Sequence, residues 1–119
     1  MARDHRKLDA FHLADQLALE IYSLTARFPV SEKYGLQSQL RRAAVSVPTN
    51  IVEGCARESE PDYLRFLDFA VGSSREILYL ISLAIRLEFL ERPDASKAVV
   101  LSERVVGALV NLRKAYGRR

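Results

Sequence analysis

The sequence of 119 residues predicts an all-α fold, an antiparallel up-down four-helix bundle. Apolar residues recur at spacings of three and four in four long stretches, as expected for amphipathic helices. No stretch alternates apolar and polar residues over the length of a strand, and no unit of about 20–50 residues repeats. The connections are short, so consecutive helices should lie side by side and run in opposite directions. We therefore expect a single domain spanning 1–119.

The first two helices are predicted at about 9–28 and about 32–57. Helix one places its apolar residues on one stripe before "FPVS" ends it: Ala10, Leu13, Ala14, Leu17, Ile21, Leu24 and Phe28. Ser31 is placed to cap helix two. Helix two has a main apolar arc formed by Leu36, Leu40, Ala44, Val47 and Ile51. Its second arc consists of Val45, Val52 and Ala56.

The last two helices are predicted at about 60–90 and about 95–115. Ser59 and Pro61 in "SEPDY" start helix three, and "ERPDAS" separates it from helix four near Pro93. Helix three is apolar over more than half of its circumference, well beyond the ~100° stripe of an amphipathic helix. The surplus apolar surface on helices two, three and four predicts a homo-oligomer. The alternative is a monomer whose irregular helices bury more apolar surface than helices usually do.

Composition and charge describe a folded, mildly basic protein. Hydrophobic residues make up 49% of the chain, and the formal net charge is +3. Cys55 is the only cysteine, which rules out an intrachain disulfide and favours a reducing compartment. The N-terminal residues lack an apolar signal-peptide core, and the most apolar stretch, Ile77 to Ile85, is too short to cross a bilayer. We expect a cytoplasmic protein without a membrane partner.

A polar stripe runs along helix two between its apolar arcs. Its members are spaced three or four residues apart and cover an arc of about 80°: Gln39, Arg42, Ser46, Asn50, Glu53 and Arg57. The stripe should be partly buried, with Ser73 and Glu76 beside Gly72 on helix three as hydrogen-bond partners. One interpretation is a structural or intersubunit polar network. The other is a groove or pore lining that binds an anionic ligand through Arg42 and Arg57.

Basic side chains are candidates for contacts with nucleic acid. Helix three carries Arg65, Asp68, Arg75, Tyr79 and Arg86 on one face, a pattern that can follow a phosphate backbone. A solvated helix face is the alternative. The candidate nucleic-acid contacts are Arg41, Arg42, Arg65, Arg75, Arg113 and Lys114.

Signatures of enzymes are missing from the sequence. There is no phosphate-binding glycine loop, and His5 and His12, the two histidines, lack the spacing of a zinc site. Cys55 has no evident histidine partner for nucleophilic catalysis. We therefore predict no catalytic residues, no metal site and no cofactor.

The stretches "FPVSEKYGLQSQLRRAAVSVPTNIVEG" (Phe28 to Gly54) and "YLRFLDFAVGSSREI" (Tyr63 to Ile77) resemble a known family. It consists of four-helix-bundle proteins encoded in intervening sequences of bacterial 23S ribosomal RNA genes, sometimes labelled ribosomal-protein-like. The pattern F-P-x-x-E-x-x-x-L-x-x-Q-x-R-R-A-x-x-S-V-P-x-N-I-x-E-G is matched without gaps by Phe28, Pro29, Glu32, Leu36, Gln39, Arg41, Arg42, Ala43, Ser46, Val47, Pro48, Asn50, Ile51, Glu53 and Gly54.

The resemblance implies an antiparallel four-helix bundle that assembles as a ring, typically a homopentamer. It also implies an association with ribosomal RNA, which is suspected from gene location, and it brings no catalytic residues. A similar ring occurs in accessory proteins of diversity-generating retroelements, which bind nucleic acid through basic surfaces. Our hypothesis is a non-enzymatic, homo-oligomeric bundle that binds RNA or another structured nucleic acid. The alternative is a structural or protein-interaction scaffold without affinity for nucleic acid.

Overall fold

The computed structural model describes residues 3–117, and these residues form four α-helices and no strand. The helices are α1 (Asp9–Thr25), α2 (Leu36–Cys55), α3 (Glu60–Arg86) and α4 (Arg92–Gly117). Two short 3₁₀ helices, His5–Lys7 and Val30–Glu32, precede α1 and α2. The predicted all-α fold with four helices is thus confirmed.

Each helix packs against two others. α2 packs on α1 and on α3, α3 packs on α4, and α4 closes back on α1. In the described part of the chain, the backbones of the diagonal pairs, α1 with α3 and α2 with α4, stay apart. The molecule measures 46 × 22 × 19 Å, so its long axis is close to the length of its longest helix, about 40 Å at 1.5 Å per residue.

The core is built from the apolar stripes that helical periodicity identifies. On α1 every predicted stripe residue is buried except Leu13, which is half-buried, and the whole main arc of α2 is buried. The largest fully buried aliphatic side chains are Leu17, Ile21, Leu40, Ile51, Leu67, Ile77, Ile81 and Leu109. The second arc of α2 remains at the surface, with Val45 43% and Val52 37% exposed. None of the helices in the described residues has an apolar stretch sufficient to cross a membrane.

Helix two begins at Leu36 rather than near residue 32. Ser31 lies inside the 3₁₀ turn and does not cap the helix, because Gly35 occupies the N-cap position. Glu32 supplies the missing acceptor instead: its Oε1 accepts a hydrogen bond from the backbone N–H of Leu36 at 3.1 Å. A carboxylate at this end also interacts favourably with the helix dipole. From Leu36, α2 continues without interruption through Pro48.

The connection between α3 and α4 lies earlier in the chain than predicted, at 87–91 rather than about 91–94. α3 ends at Arg86 rather than near residue 90, since Glu88 adopts a left-handed φ of 64°. The N–H groups of Glu88 and Phe89 donate to the carbonyls of Ile85 (3.0 Å) and Ala84 (2.9 Å), the pair of bonds of a Schellman motif. α4 then starts at Arg92 and includes Pro93 in its first turn, where proline is tolerated.

Candidate functional site

The middle of the polar stripe joins α2 to α3. Ser46 Oγ lies 2.9 Å from Ser73 Oγ. Asn50 Nδ2 donates to the backbone carbonyl of Ser46 at 2.7 Å and to Ser46 Oγ at 2.9 Å. Either hydroxyl can donate in the Ser46–Ser73 bond, because Ser46 Oγ keeps a second lone pair after it accepts from the amide. All three side chains are half-buried, so this contact satisfies polar groups at the helix interface.

The other members of the stripe lie at the surface of the chain. Gln39 Nε2 donates to Glu76 Oε2 across α2 and α3 at 3.4 Å, with both side chains exposed. Within residues 3–117 the exposed carboxylate of Glu53 has no hydrogen bond or ion pair. The guanidinium of Arg57 lies 4.8 Å from the centre of the Phe66 ring. Of the six stripe residues, only Ser46 and Asn50 are therefore partly buried in the single chain.

Gly54 on α2, and not Gly72 on α3, lies where a side chain would collide with the facing helix. A Cβ atom at Gly72 would meet no heavy atom within 4 Å. At buried Gly54 a Cβ would lie 2.9 Å from Phe66 Cβ and 3.5 Å from Tyr63 Cδ1. The missing side chain at Gly54 is what lets the two helices approach here.

A shallow hollow of about 380 Å³ opens along the stripe between α2 and α3. Arg42, Ser46, Ser73 and Glu76 contribute to its lining. The Glu76 carboxylate places negative charge in the same hollow as the Arg42 guanidinium. A purely anionic ligand would therefore meet repulsion here as well as attraction.

Arg41, one of the six basic candidates, points toward α1. Its Nε donates to Thr25 Oγ1 at 2.8 Å, and its Nη2 donates to the Tyr22 carbonyl at 3.2 Å. Its guanidinium also lies 4.5 Å from the centre of the Tyr22 ring. These bonds hold the charge at the C-terminal end of α1, where the helix dipole favours a cation. Sequence reasoning missed Thr25 and Tyr22 as partners, although a threonine in the last turn of an apolar helix was a usable signal.

The remaining basic candidates fall into two groups. Arg65 pairs with Asp62 at 3.3 Å, and Arg113 pairs with Asp68 at 3.1 Å. These pairs are solvent-exposed and therefore weak, each worth about 0–1 kcal/mol. In the described range 3–117, the side chains of Arg42, Arg75 and Lys114 make no hydrogen bond or ion pair.

Nothing in the described residues resembles an activated nucleophile or a metal centre. Burial raises the pKa of the Cys55 thiol, and burial likewise raises the pKa of the Tyr63 phenol well above its usual value. Both groups lie beside Arg3, whose N–H donates to the Cys55 carbonyl at 2.9 Å and whose guanidinium lies 4.0 Å from the Tyr63 ring centre. Within 3–117 no three His, Cys, Asp or Glu side chains cluster closely enough to hold a metal ion.

Comparisons with known proteins agree on the fold and the family. A protein of unknown function from the S23 ribosomal protein family of Bacteroides thetaiotaomicron, known from its crystal structure, superposes with a TM-score of 0.82. The two chains are 22% identical, and the match covers 88% of this chain and 98% of the other, so it establishes a shared fold. No curated protein matches the sequence. The family model described as "23S rRNA-intervening sequence protein" matches residues 6–111, and the chain therefore belongs to this family.

Proposed function

We propose that the chain is a non-enzymatic, homo-oligomeric four-helix bundle of the cytoplasm that binds ribosomal RNA or another structured nucleic acid through basic faces. The observation that carries this proposal is that three of the six basic candidates, Arg42, Arg75 and Lys114, are exposed and have no acidic partner in residues 3–117. A cation without an internal partner is available to phosphate oxygens, and each such contact releases a condensed counterion. The description of the family supports ribosomal RNA as the partner.

Interhelical contacts support an antiparallel, up-down arrangement for the bundle. Arg41, near the start of α2, bonds to Thr25 at the end of α1. Arg27, just after α1, pairs with Asp94 in the first turn of α4 at 3.0 Å. Arg113, late in α4, pairs with Asp68 early in α3. Each contact joins the end of one helix to the start of another, as opposite helix directions require.

Exposed apolar side chains support self-association, which we propose takes the form of a ring, a homopentamer. Leu19, Phe69 and Val100 are each about half or more exposed, and Val52 on the second arc of α2 adds to them. Large apolar side chains on several faces fit a subunit with more than one neighbour. The same observation favours the second candidate function, a scaffold whose surface arginines pair with acids of adjacent subunits.

Binding to an RNA fragment at several salt concentrations tests the proposal against the scaffold. We expect the affinity to fall steeply with salt, and the variant Arg75→Gln/Lys114→Gln to bind more weakly with a salt slope reduced by about 1.5–2. The matched control is Arg6→Gln/Arg27→Gln, which removes the same charge from residues that already pair with Asp4 and Asp94. Equal losses in both variants would contradict the assignment of Arg75 and Lys114 as phosphate contacts, and no binding at low salt would contradict RNA binding.

Light scattering tests the ring independently of RNA. The subunit mass is 13.5 kDa, and we expect a mass about five times larger at micromolar concentration. A single-subunit mass at every concentration would refute self-association and leave the RNA experiment unaffected.

A further inference from the structure

A groove with a volume of about 580 Å³ lies between the end of α1, the connection to α2 and the outer side of α2. It is separate from the α2–α3 hollow except at Arg42 and Ser46, which border both. The volume is within the ~300–1,000 Å³ range of small-ligand sites.

The groove is positively charged. Lys33, Arg41 and Arg42 line it, and none of its lining residues is acidic. The neighbouring carboxylate of Glu32 does not line it, because Glu32 Oε1 is bonded to the N–H of Leu36. Arg41 is held in place by its bonds to α1, while Arg42 has no polar partner within residues 3–117. The charge of the groove therefore favours an anion, with Lys33 and Arg42 the cations most able to reach it.

Aromatic faces accompany this charge. Tyr34 is 89% exposed at one side of the groove, and Tyr22 is 45% exposed at the other. Arg41 already covers the Tyr22 ring, at 4.5 Å from its centre, whereas Lys33 Nζ lies farther, 5.5 Å, from the centre of the more exposed Tyr34 ring. An exposed ring of this kind offers a surface on which a planar base can stack.

Polar groups of α2 complete the lining. Gln37 Nε2 donates to the Thr25 carbonyl at 3.0 Å, which fixes the amide and leaves its Oε1 as an acceptor. The Ser38 hydroxyl also lines the groove. Such groups can hydrogen-bond to the edge of a base or to a ribose hydroxyl.

We propose that this groove binds one nucleoside phosphate unit, with the base stacked on Tyr34 and the phosphate held by Lys33 and Arg42. The combination of exposed aromatic faces, several cations and no acid is the chemistry that recognises an unpaired nucleotide. The inference rests on the proposed function in so far as the unit is an unpaired nucleotide of a bound RNA. A free nucleotide carries the same chemistry, so the test separates the two sources.

The experiment measures binding of AMP, inorganic phosphate and a single-stranded adenine hexanucleotide by isothermal titration calorimetry. We expect Tyr34→Ala to weaken hexanucleotide binding by about tenfold or more, since stacking on one aromatic side chain contributes on that scale. Tyr34→Phe keeps the ring and should bind within about twofold of wild type. Val30→Ala is the control, because Val30 is 89% exposed, as Tyr34 is, and does not line the groove.

The outcomes distinguish the groove from the wider proposal. Tight binding of the ribosomal RNA fragment with no effect of Tyr34→Ala would overturn the groove inference and leave the proposed function standing. Binding of AMP that depends on Tyr34, without any RNA binding, would support the groove as a site for free nucleotides and overturn the proposed function. Phosphate binding as strong as AMP binding would also refute the groove inference, because the base would then contribute nothing.

Discussion

Replacing Gly54 with alanine tests whether the close approach of α2 and α3 limits the fold. The added Cβ would lie 2.9 Å from Phe66 Cβ, an atom fixed to the α3 backbone. It would also lie 3.5 Å from the carbonyl oxygen and the Cδ1 of Tyr63, which is fully buried. No flexible side chain can move aside, so α2 and α3 must separate slightly to accept the methyl group.

The expected magnitude combines two opposing effects. Gly→Ala favours a helix by up to about 1 kcal/mol, and by about half of that at Gly54, which lies in the last turn of α2. Overpacking a close-packed contact costs about 1–3 kcal/mol. We therefore expect Gly54→Ala to lower the free energy of unfolding by about 0.5–2.5 kcal/mol. Gly72→Ala and Gly107→Ala, where a Cβ meets nothing within 4 Å, should raise it by about 0.5–1 kcal/mol.

Urea unfolding followed by far-ultraviolet circular dichroism measures these differences. All proteins must be compared at one protein concentration, because the proposed self-association would add a concentration-dependent contribution to stability. If Gly54→Ala stabilised the protein as much as Gly72→Ala does, the close contact with Phe66 would not be limiting and the reasoning would be wrong.

Other substitutions follow from the polar contacts and the buried titratable groups. Asn50→Ala should lower the free energy of unfolding by about 1–2 kcal/mol in calorimetry, since Ser46 loses a donor, whereas exposed Glu53→Ala should change it by less than about 0.5 kcal/mol. The pKa of Tyr63 is raised by burial, so above about pH 10 the unfolded chain loses a proton that the folded chain keeps, and stability should fall as the pH rises. In Tyr63→Phe the free energy of unfolding, measured by urea titration, should fall less steeply above about pH 10 than in the wild type. An equal fall in both proteins would contradict this prediction. Cys55, only 1% exposed, should react with a thiol reagent only as fast as the protein opens, and prompt reaction of the native protein would contradict its burial.

Helical periodicity predicted the core because it depends only on the geometry of the helix. Leu17 and Ile21 on α1, like Leu40 and Ile51 on α2, follow the 3.6-residue repeat and are fully buried. The helix ends depend on individual caps and were less predictable. The left-handed backbone at Glu88 has no sequence signal, because glutamate rarely adopts that conformation.

The site was harder to predict than the core because its contacts depend on how two helices are aligned. The spacing along helix two places Ser46 and Asn50 on one face, and Ser73 was expected as a partner, but the spacing does not fix which atoms meet across the two helices. Arg41 and Arg42 are neighbours in sequence, and the 100° rotation between them turns Arg41 toward α1 while Arg42 remains exposed. The sequence does not show which of these two arginines bonds to α1. The position of Thr25, which accepts a hydrogen bond from Arg41, shows that it is Arg41.

The order in which the helices pack has a consequence for how quickly the chain folds. In the described residues every pair of α-helices in contact is adjacent in sequence except α1 and α4. Local contacts of this kind give a low contact order, and helical proteins with low contact order fold in microseconds to milliseconds. Closure of α4 on α1, with its Arg27–Asp94 and Lys97–Glu20 pairs, involves the longest chain loop and should come last. Under the proposed self-association, each subunit should finish folding before it meets another, so that protein concentration affects only a slower assembly phase of refolding.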